Sequence, residues 1–494
     1  MQNKHKAPLF EALVAHDRLR AAAFHVPGHK SRAAWGDERA AAYYSSLLPL
    51  DVTELSDTDD LHHPQGPLLE AQALAADCFG AEETRFLAGG STSGNLAMIL
   101  GLCRPGDLIV VQRNVHKSII HGLMLAGARA VLLSPEIDEA SGLATVPGER
   151  LVAKALERYP EAKALILSSP NYYGMSPDLT TLIAIAHGRG IPALVDEAHG
   201  AHYGFHPRFP RSALRSGADI VVQSTHKMLG ALTMGAMLHM QGERIPRSAV
   251  RQALTMVQSS SPSFPILASL DLARRQLHTS GEHLFSDAIE ALEHVLEALE
   301  RTPFRALGYG RYASADIAYD PLKLVLFDET GTFDGFALRD ALEEHRCIAE
   351  MADEKYAVLA LGPGTTQEDG RRLKEALLQL ASRRQKGRPE GRPEAGMSGR
   401  RPHEKAEEIA IPEPVEFDRE ERTAITVPLE RSVGRKAAEW VIPYPPGIPA
   451  LFPGETITKS LVGQLLRWRH EGARIQGIRD PQLLEIQVWQ DNGS

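Results

Sequence analysis

The chain has 494 residues, 43% hydrophobic and 24% charged, which is enough apolar material for more than one core and excludes a mostly disordered protein. A formal charge of −9 gives no general reason to bind polyanions, so no nucleic-acid partner is expected. Cys78, Cys103 and Cys347 are an odd count without paired spacing and indicate neither a disulfide framework nor a cysteine zinc site.

The amino terminus, MQNKHKAPLFEALVAHDRLR, scatters charges among its apolar residues and does not read as a secretory signal. No apolar run is long enough to span a bilayer, so a cytoplasmic protein without a membrane partner is expected. From about residue 84 to 240, short runs rich in Val, Ile and Leu recur: TRFLAG, DLIVVQ, ARAVLLS, KALILSS, IPALVD, ADIVVQS and MGAMLHM. Helix-like stretches such as SGNLAMILGLC and LTTLIAIAHGRG separate them, the pattern of a mainly parallel sheet covered by helices. In such an α/β domain, ligands sit beyond the carboxyl ends of the strands.

Phe285, Ile289, Leu292, Val295, Leu296 and Leu299 recur at helical spacing and predict a helix over 281–301, with Thr279 and Ser280 as its caps. The strand-like LKLVLF and the helix-like FALRDALEEHRC extend a smaller α/β domain to about 383. Residues 384–405, with a doubled GRPE unit and no apolar anchors, read as a flexible linker. A proline-rich stretch at 442–455 and a helix over 457–470 then predict a third, small domain.

The strand IPALVD runs into Glu-Ala-His, so LVDEAHGAH raises the reading of a nucleotide-hydrolysing enzyme. That chemistry needs a phosphate loop of the form GxxxxGK[ST], and no Gly-Lys pair followed by Ser or Thr occurs in the chain. A second strand, ADIVVQ, leads directly into STHK, whose Lys227 lies 31 residues after Asp196. If the two strands are parallel, Asp196 and Lys227 meet at one crevice. A lysine amine that forms a Schiff base and a carboxylate that faces a pyridine nitrogen are what pyridoxal phosphate requires.

The cofactor's phosphate needs backbone amides at a helix start together with hydroxyls. Gly90-Ser91-Thr92-Ser93, between TRFLA and the next helix, supplies both, and Ser224 and His226 can complete the cradle. Taken alone, GGSTSGN is equally well a capped helix start. His116, just past DLIVVQ, can stack on the pyridine face, although a lone histidine there is more often a solvated loop residue. His199, His202 and His206 invite a metal reading, but their spacing is not that of HExxH, so no metal is expected. His199 is placed beside the cofactor instead, near the substrate carboxylate or the Schiff base.

FHVPGHK (24–30), DVTELSDTDDLHHPQGPLLEAQ (51–72), RNVHKS (113–118), VDEAHGAHYGFH (195–206), STHK (224–227), QSSSPSFPILASLD (258–271) and YPPGIPALFPGE (444–455) together resemble the ornithine/lysine/arginine decarboxylase family, within the fold type I pyridoxal phosphate enzymes. The resemblance implies an aspartate aminotransferase-like fold. The implied division is an amino-terminal arm and substrate-side loop (1–75), a large cofactor domain (76–257), a small α/β domain (258–383), the linker (384–405) and a carboxyl-terminal decarboxylase-type domain (406–494).

It also implies that Lys227 carries the cofactor, Asp196 binds the pyridine nitrogen, His116 stacks on the ring, Ala198 lies beside it, and Ser91, Thr92, Ser93, Ser224 and His226 surround the phosphate. A homodimer or higher homo-oligomer with shared sites follows, with Ser260, or its neighbours Ser259 and Ser261, reaching the partner's phosphate. The amino-terminal wing domain of the large acid-inducible members is not recognisable, which puts their decameric assembly in doubt.

The implied reaction is decarboxylation of arginine, lysine or ornithine, with Lys227 or His199 as the acid that protonates Cα. An aminotransferase shares the lysine and the aspartate. Many of those clamp the substrate carboxylate with an arginine, and the stretch where one would be expected, CIAEMADEKYAVLALGPGTTQEDG (347–370), contains none. A non-catalytic regulator would need a partner-binding module that neither end supplies. For a distal substrate cation, the acidic loop 54–60 and Glu455 are the candidates.

Overall fold

The protein is described from a computed structural model that covers residues 3–32, 35–385, 410–417, 422–443, 448–471 and 475–490. All seven apolar runs form strands: β1 (Glu83–Leu87), β2 (Leu108–Gln112), β3 (Arg129–Leu133), β4 (Leu165–Ser168), β5 (Ala193–Asp196), β6 (Ile220–Gln223) and β7 (Ala236–Met240). They assemble in the order β1-β7-β6-β5-β4-β2-β3, and Val415–Glu416 adds a short antiparallel edge beside β3. Neighbours from β6 through β3 pair in parallel, whereas β7 is antiparallel to both β1 and β6. The sheet is therefore mixed, and its parallel centre is apolar on both faces because helices cover both.

Two clusters of buried side chains fill those faces. On one, helix Gly90–Leu102 lies close to the sheet at Gly94, where a Cβ would stand 2.8 Å from Leu87 Cδ1 and from Val222 Cγ1. That close approach fixes where the helix begins relative to the ends of β1 and β6.

A second sheet, β8 (Phe304–Ala306), β9 (Lys323–Asp328), β10 (Met351–Ala352) and β11 (Ala357–Ala360), is antiparallel in the order β10-β11-β9-β8. LKLVLF falls in β9, and FALRDALEE forms most of helix Gly335–Glu344. The helix expected over 281–301 starts differently. Helix Phe264–Ser280 continues through a single 3-10 stretch, Gly281–Phe285, into Ser286–Leu299. The Thr279 hydroxyl donates to the Arg275 carbonyl within the first helix, and neither Thr279 nor Ser280 caps a new one with its side chain.

Helix Gln367–Gln385 runs past the expected start of the linker, and residues 386–405, with the GRPE units, lie outside the described residues. Residues 444–447 of the proline-rich stretch do too. The carboxyl-terminal part pairs Ala424–Pro428 with Glu485–Trp489, carries helix Lys459–Glu471, and has its own buried cluster around Leu429, Val441, Leu451 and Leu465. Among the described residues, no helix is long and apolar enough to cross a membrane.

Candidate active site

Asp196 is the last residue of β5 and pairs in register with Val222 of β6, so the two strand ends lie side by side. Lys227 follows β6 by one turn, in the short helix Thr225–Met228. This is the juxtaposition expected from parallel strands: a buried carboxylate and an amine above one sheet edge.

A hydrogen-bonded chain fixes the carboxylate. Asp196 Oδ2 accepts from Asn95 Nδ2 at 2.9 Å, and Oδ1 accepts from the Ala198 N–H at 3.2 Å. Asn95 Nδ2 also donates to Ser118 Oγ at 2.9 Å, and that hydroxyl lies 2.8 Å from His116 Nδ1. His116 caps helix Lys117–Ala126 by accepting from the Ser118 N–H. It is half-buried at the crevice rather than a solvated loop residue, and burial holds its imidazole below the usual histidine range against the opposing pull of Asp196.

Lys227 Nζ stands 3.0 Å from His199 Nε2. Desolvation lowers the amine from its ordinary value, although the side chain still reaches solvent; the Asp196 and Glu350 carboxylates oppose that shift. His199 is buried, and burial, with the cations of Lys227 and Lys323, pushes it well below the usual range. A neutral imidazole with its proton on Nδ1 can accept from the Lys227 ammonium. Its Nδ1 is buried and has no hydrogen-bond partner among the described residues.

At the start of helix Gly90–Leu102, the Ser224 hydroxyl donates to Ser91 Oγ at 2.8 Å. Thr92 is exposed in the first turn, while the Ser93 hydroxyl turns back to the Gly90 carbonyl at 2.8 Å. His226 Nδ1 lies 3.0 Å from the Gly235 carbonyl. Nearby Thr225 Oγ1 is buried and without a hydrogen-bond partner among the described residues. Ser260 is exposed beside Ser259, whose carbonyl is 2.9 Å from His62 Nε2.

His202 does not join the crevice: its Nε2 lies 3.0 Å from the Asp320 carboxylate, with both side chains fully buried. Among the described residues, no three His, Cys, Asp or Glu side chains converge as metal ligands.

Glu455 does not stand free for a substrate cation. Its two oxygens accept from Arg113 Nε at 2.8 Å and Nη2 at 2.7 Å, a pairing that ties the carboxyl-terminal part to the end of β2. In the acidic loop, Asp59 accepts the backbone N–H groups of Gln65, Gly66 and Leu68, and Asp57 lies 2.9 Å from His16.

Five contributors were not anticipated from the sequence. Asn95 and Ser118 sit inside quoted motifs, and their signal was a polar residue on the buried face of an otherwise apolar helix. Lys323 is the single charge among the first residues of LKLVLF. Tyr172, whose ring is 4.6 Å from that of His199 and whose hydroxyl donates to Glu350 at 2.7 Å, and Glu350 itself carried no local signal.

The donor set fits pyridoxal phosphate. A hydroxyl pair at the amino end of a 13-residue helix suits a dianion, a buried carboxylate held by two N–H donors suits a protonated ring nitrogen, and a lysine of lowered basicity suits an aldehyde. A mixed eight-stranded sheet carrying this set at the carboxyl ends of its parallel strands defines a fold type I pyridoxal phosphate enzyme.

The family model for the Orn/Lys/Arg decarboxylase major domain matches residues 7–306, and that for the Orn/Lys/Arg decarboxylase carboxyl-terminal domain matches residues 407–477. The chain belongs to the Orn/Lys/Arg decarboxylase family. It is 33% identical to an arginine decarboxylase of Bacillus subtilis over 98% of each chain, and 42% identical to an uncharacterised protein of the same organism, YaaO, over 97% of this chain and 98% of that one. The solved lysine decarboxylase LdcF of Francisella novicida shares the fold with a TM-score of 0.79 over 98% of this chain and 81% of that chain, at 19% identity. The enzyme is a pyridoxal-phosphate-dependent decarboxylase, and the aminotransferase alternative finds no support.

Proposed function

We propose that this enzyme decarboxylates a basic amino acid, arginine first, and releases carbon dioxide and the corresponding amine. The observation that carries the reading is the convergence of Lys227, His199 and Asp196 at the ends of β5 and β6, in a chain aligned over nearly its whole length with a relative named arginine decarboxylase. Bound pyridoxal phosphate would supply an electron sink for the pair left at Cα when the carboxylate departs.

Lys227 would hold the cofactor, and Asp196, fixed by Asn95 and the Ala198 N–H, would keep its ring nitrogen protonated. His116 would stack on the ring. The helix start with Ser91, Thr92, Ser93, Ser224 and His226 would surround the phosphate. Once the substrate's amino group has taken its place on the cofactor, the freed Lys227 ammonium would deliver a proton to Cα after the bond to the carboxylate has broken. His199 is less suited to that task, because burial and two neighbouring cations keep its imidazole neutral. It accepts from the lysine and orients it.

Glu350 is exposed at the crevice and close enough to Lys227 to favour that amine's charged form, so it suits a cationic substrate side chain. Exposed Leu232, Met234 and Met256, near the Lys227 and Ser260 segments, together with exposed Phe24 and Tyr43, support a homodimer with shared sites in which Ser260 reaches the partner's phosphate. The cytoplasm suits such an enzyme.

The test is product analysis with arginine, lysine and ornithine supplied separately to the cofactor-loaded protein. Agmatine and carbon dioxide from arginine are expected in equal amounts. A keto acid in their place, or no amine from any of the three, would sink the reading.

A further inference from the structure

Lys323 opens β9, at the border between the second sheet and the crevice, and only 5% of it is exposed. Its stem is held in place. The turn at Gly174 lies so near that a Cβ on that glycine would be 2.6 Å from Lys323 Cβ, and Gly174 has φ +77, a conformation that side chains rarely adopt. The ammonium sits 5.4 Å from the centre of the Tyr172 ring, whose own centre is 4.6 Å from that of His199. His199 in turn touches Lys227. A buried cation thus stands two side chains from the lysine assigned to the cofactor.

Burying an ammonium without an anion is costly, and proteins rarely do so without a compensating partner. Of the two carboxylates that face it, Asp320 lies against His202 and takes the Leu322 N–H, and Glu350 takes the Tyr172 hydroxyl on the exposed side of the crevice; neither reaches Lys323 as an ion pair. Among the described residues, Lys323 makes no ion pair, although both carboxylates favour its charged form at longer range while Lys227 opposes it. Burial brings the amine down to about 8, so it is mostly charged near neutrality.

We propose that Lys323 is a substrate-binding residue whose ammonium takes the α-carboxylate of the amino acid. The inference rests on the decarboxylase reading of the same crevice. Of the anions such a site receives, the phosphate is anchored at the Ser91–Ser224 end, which leaves the substrate carboxylate for the cation beyond His199. One ammonium is a single-point contact. It can orient the leaving group without the two parallel hydrogen bonds with which an arginine would stabilise it in the ground state.

Lys323→Met removes the charge but keeps an unbranched stem, and Lys323→Gln serves as a second variant should the first pack poorly. Binding is read from the change in absorbance of the bound cofactor on titration with arginine and, separately, with agmatine, which is arginine without its carboxylate. Arginine should bind about ten- to a hundredfold more weakly to either variant, the loss of one hydrogen bond between charged groups, while agmatine binding stays within about twofold of wild type. A merely structural role would weaken both ligands together. That outcome, or unchanged arginine binding, overturns the assignment. A wild-type enzyme that accepts none of the three basic amino acids overturns the decarboxylase reading and this one with it, whereas wild-type turnover with unselective variants overturns the carboxylate site alone.

Discussion

The ion pair between Arg113 and Glu455 allows the attachment of the carboxyl-terminal part to be weighed. Arg113 uses its whole guanidinium there: beyond the two bonds to Glu455, Nη1 donates to the Pro449 carbonyl at 2.8 Å and Nη2 to that of Ala450 at 3.0 Å, with the Phe452 ring 4.8 Å away. Side-chain exposures of 19% and 21% put the pair between a surface bridge and a buried one. An exposed bridge contributes about 0–1 kcal/mol, whereas breaking a buried pair costs about 3–5 kcal/mol. Glu455→Ala should therefore cost about 2–3 kcal/mol, because it strands a largely desolvated guanidinium that keeps only its two carbonyls. Burial raises the Glu455 carboxyl and Arg113 opposes that rise, as expected of a carboxylate that depends on its partner. Adding Arg113→Met should cost little more, giving a coupling of about 1.5 kcal/mol or above in a double-mutant cycle. Three of the four tryptophans, Trp440, Trp468 and Trp489, lie in this part, so urea unfolding followed by their fluorescence reports its release. Trp440 packs directly across the junction against His121, with ring centres 5.1 Å apart. A coupling below about 0.5 kcal/mol would refute the claim that this pair, rather than the apolar contacts around it, secures the junction.

Asp196→Asn should keep the cofactor bound but lower kcat by about 10²–10³, the scale of removing one well-placed electrostatic contact; normal turnover in a steady-state assay would contradict the role given to this carboxylate. Removing the hydroxyls with Ser91→Ala or Ser224→Ala should each weaken cofactor affinity by roughly tenfold in a reconstitution titration, and unchanged affinity in both would displace the phosphate from this helix start. Glu197, fully buried, accepts from Gln223 Nε2 and the Ala213 N–H at 2.7 Å each, and burial pushes its carboxyl up to about 8 from an ordinary 4.5. The folded state thus keeps a proton that the unfolded chain has released, so this contribution to stability is complete below pH 4.5 and is lost as pH rises toward 8, by about 1.4 kcal/mol per unit. Glu197→Gln should flatten the fall in urea midpoint between about pH 5.5 and about pH 7.5, and an unchanged slope would place the titrating group elsewhere.

The sequence by itself determined the large sheet and the two chemical groups at its edge. Runs of Val, Ile and Leu too short for helices read as strands of a covered sheet, and on the condition that IPALVD and ADIVVQS run parallel their ends bring Asp196 near Lys227. Helix entry was equally local at GGSTSGN, where small residues and hydroxyls mark both a helix start and an anion site. Spacing could not reveal who meets whom across the crevice. Asn95 reaches Asp196 over 101 positions, Arg113 takes Glu455 over 342, and Lys323 arrives from a different sheet. Such contacts depend on how two sheets and a carboxyl-terminal part pack, which is set by the shapes of whole buried surfaces rather than by any local period. Glu455 shows the consequence: as a letter it was an acid available to a cation, and only the tertiary structure showed that an arginine from the end of β2 had already taken it.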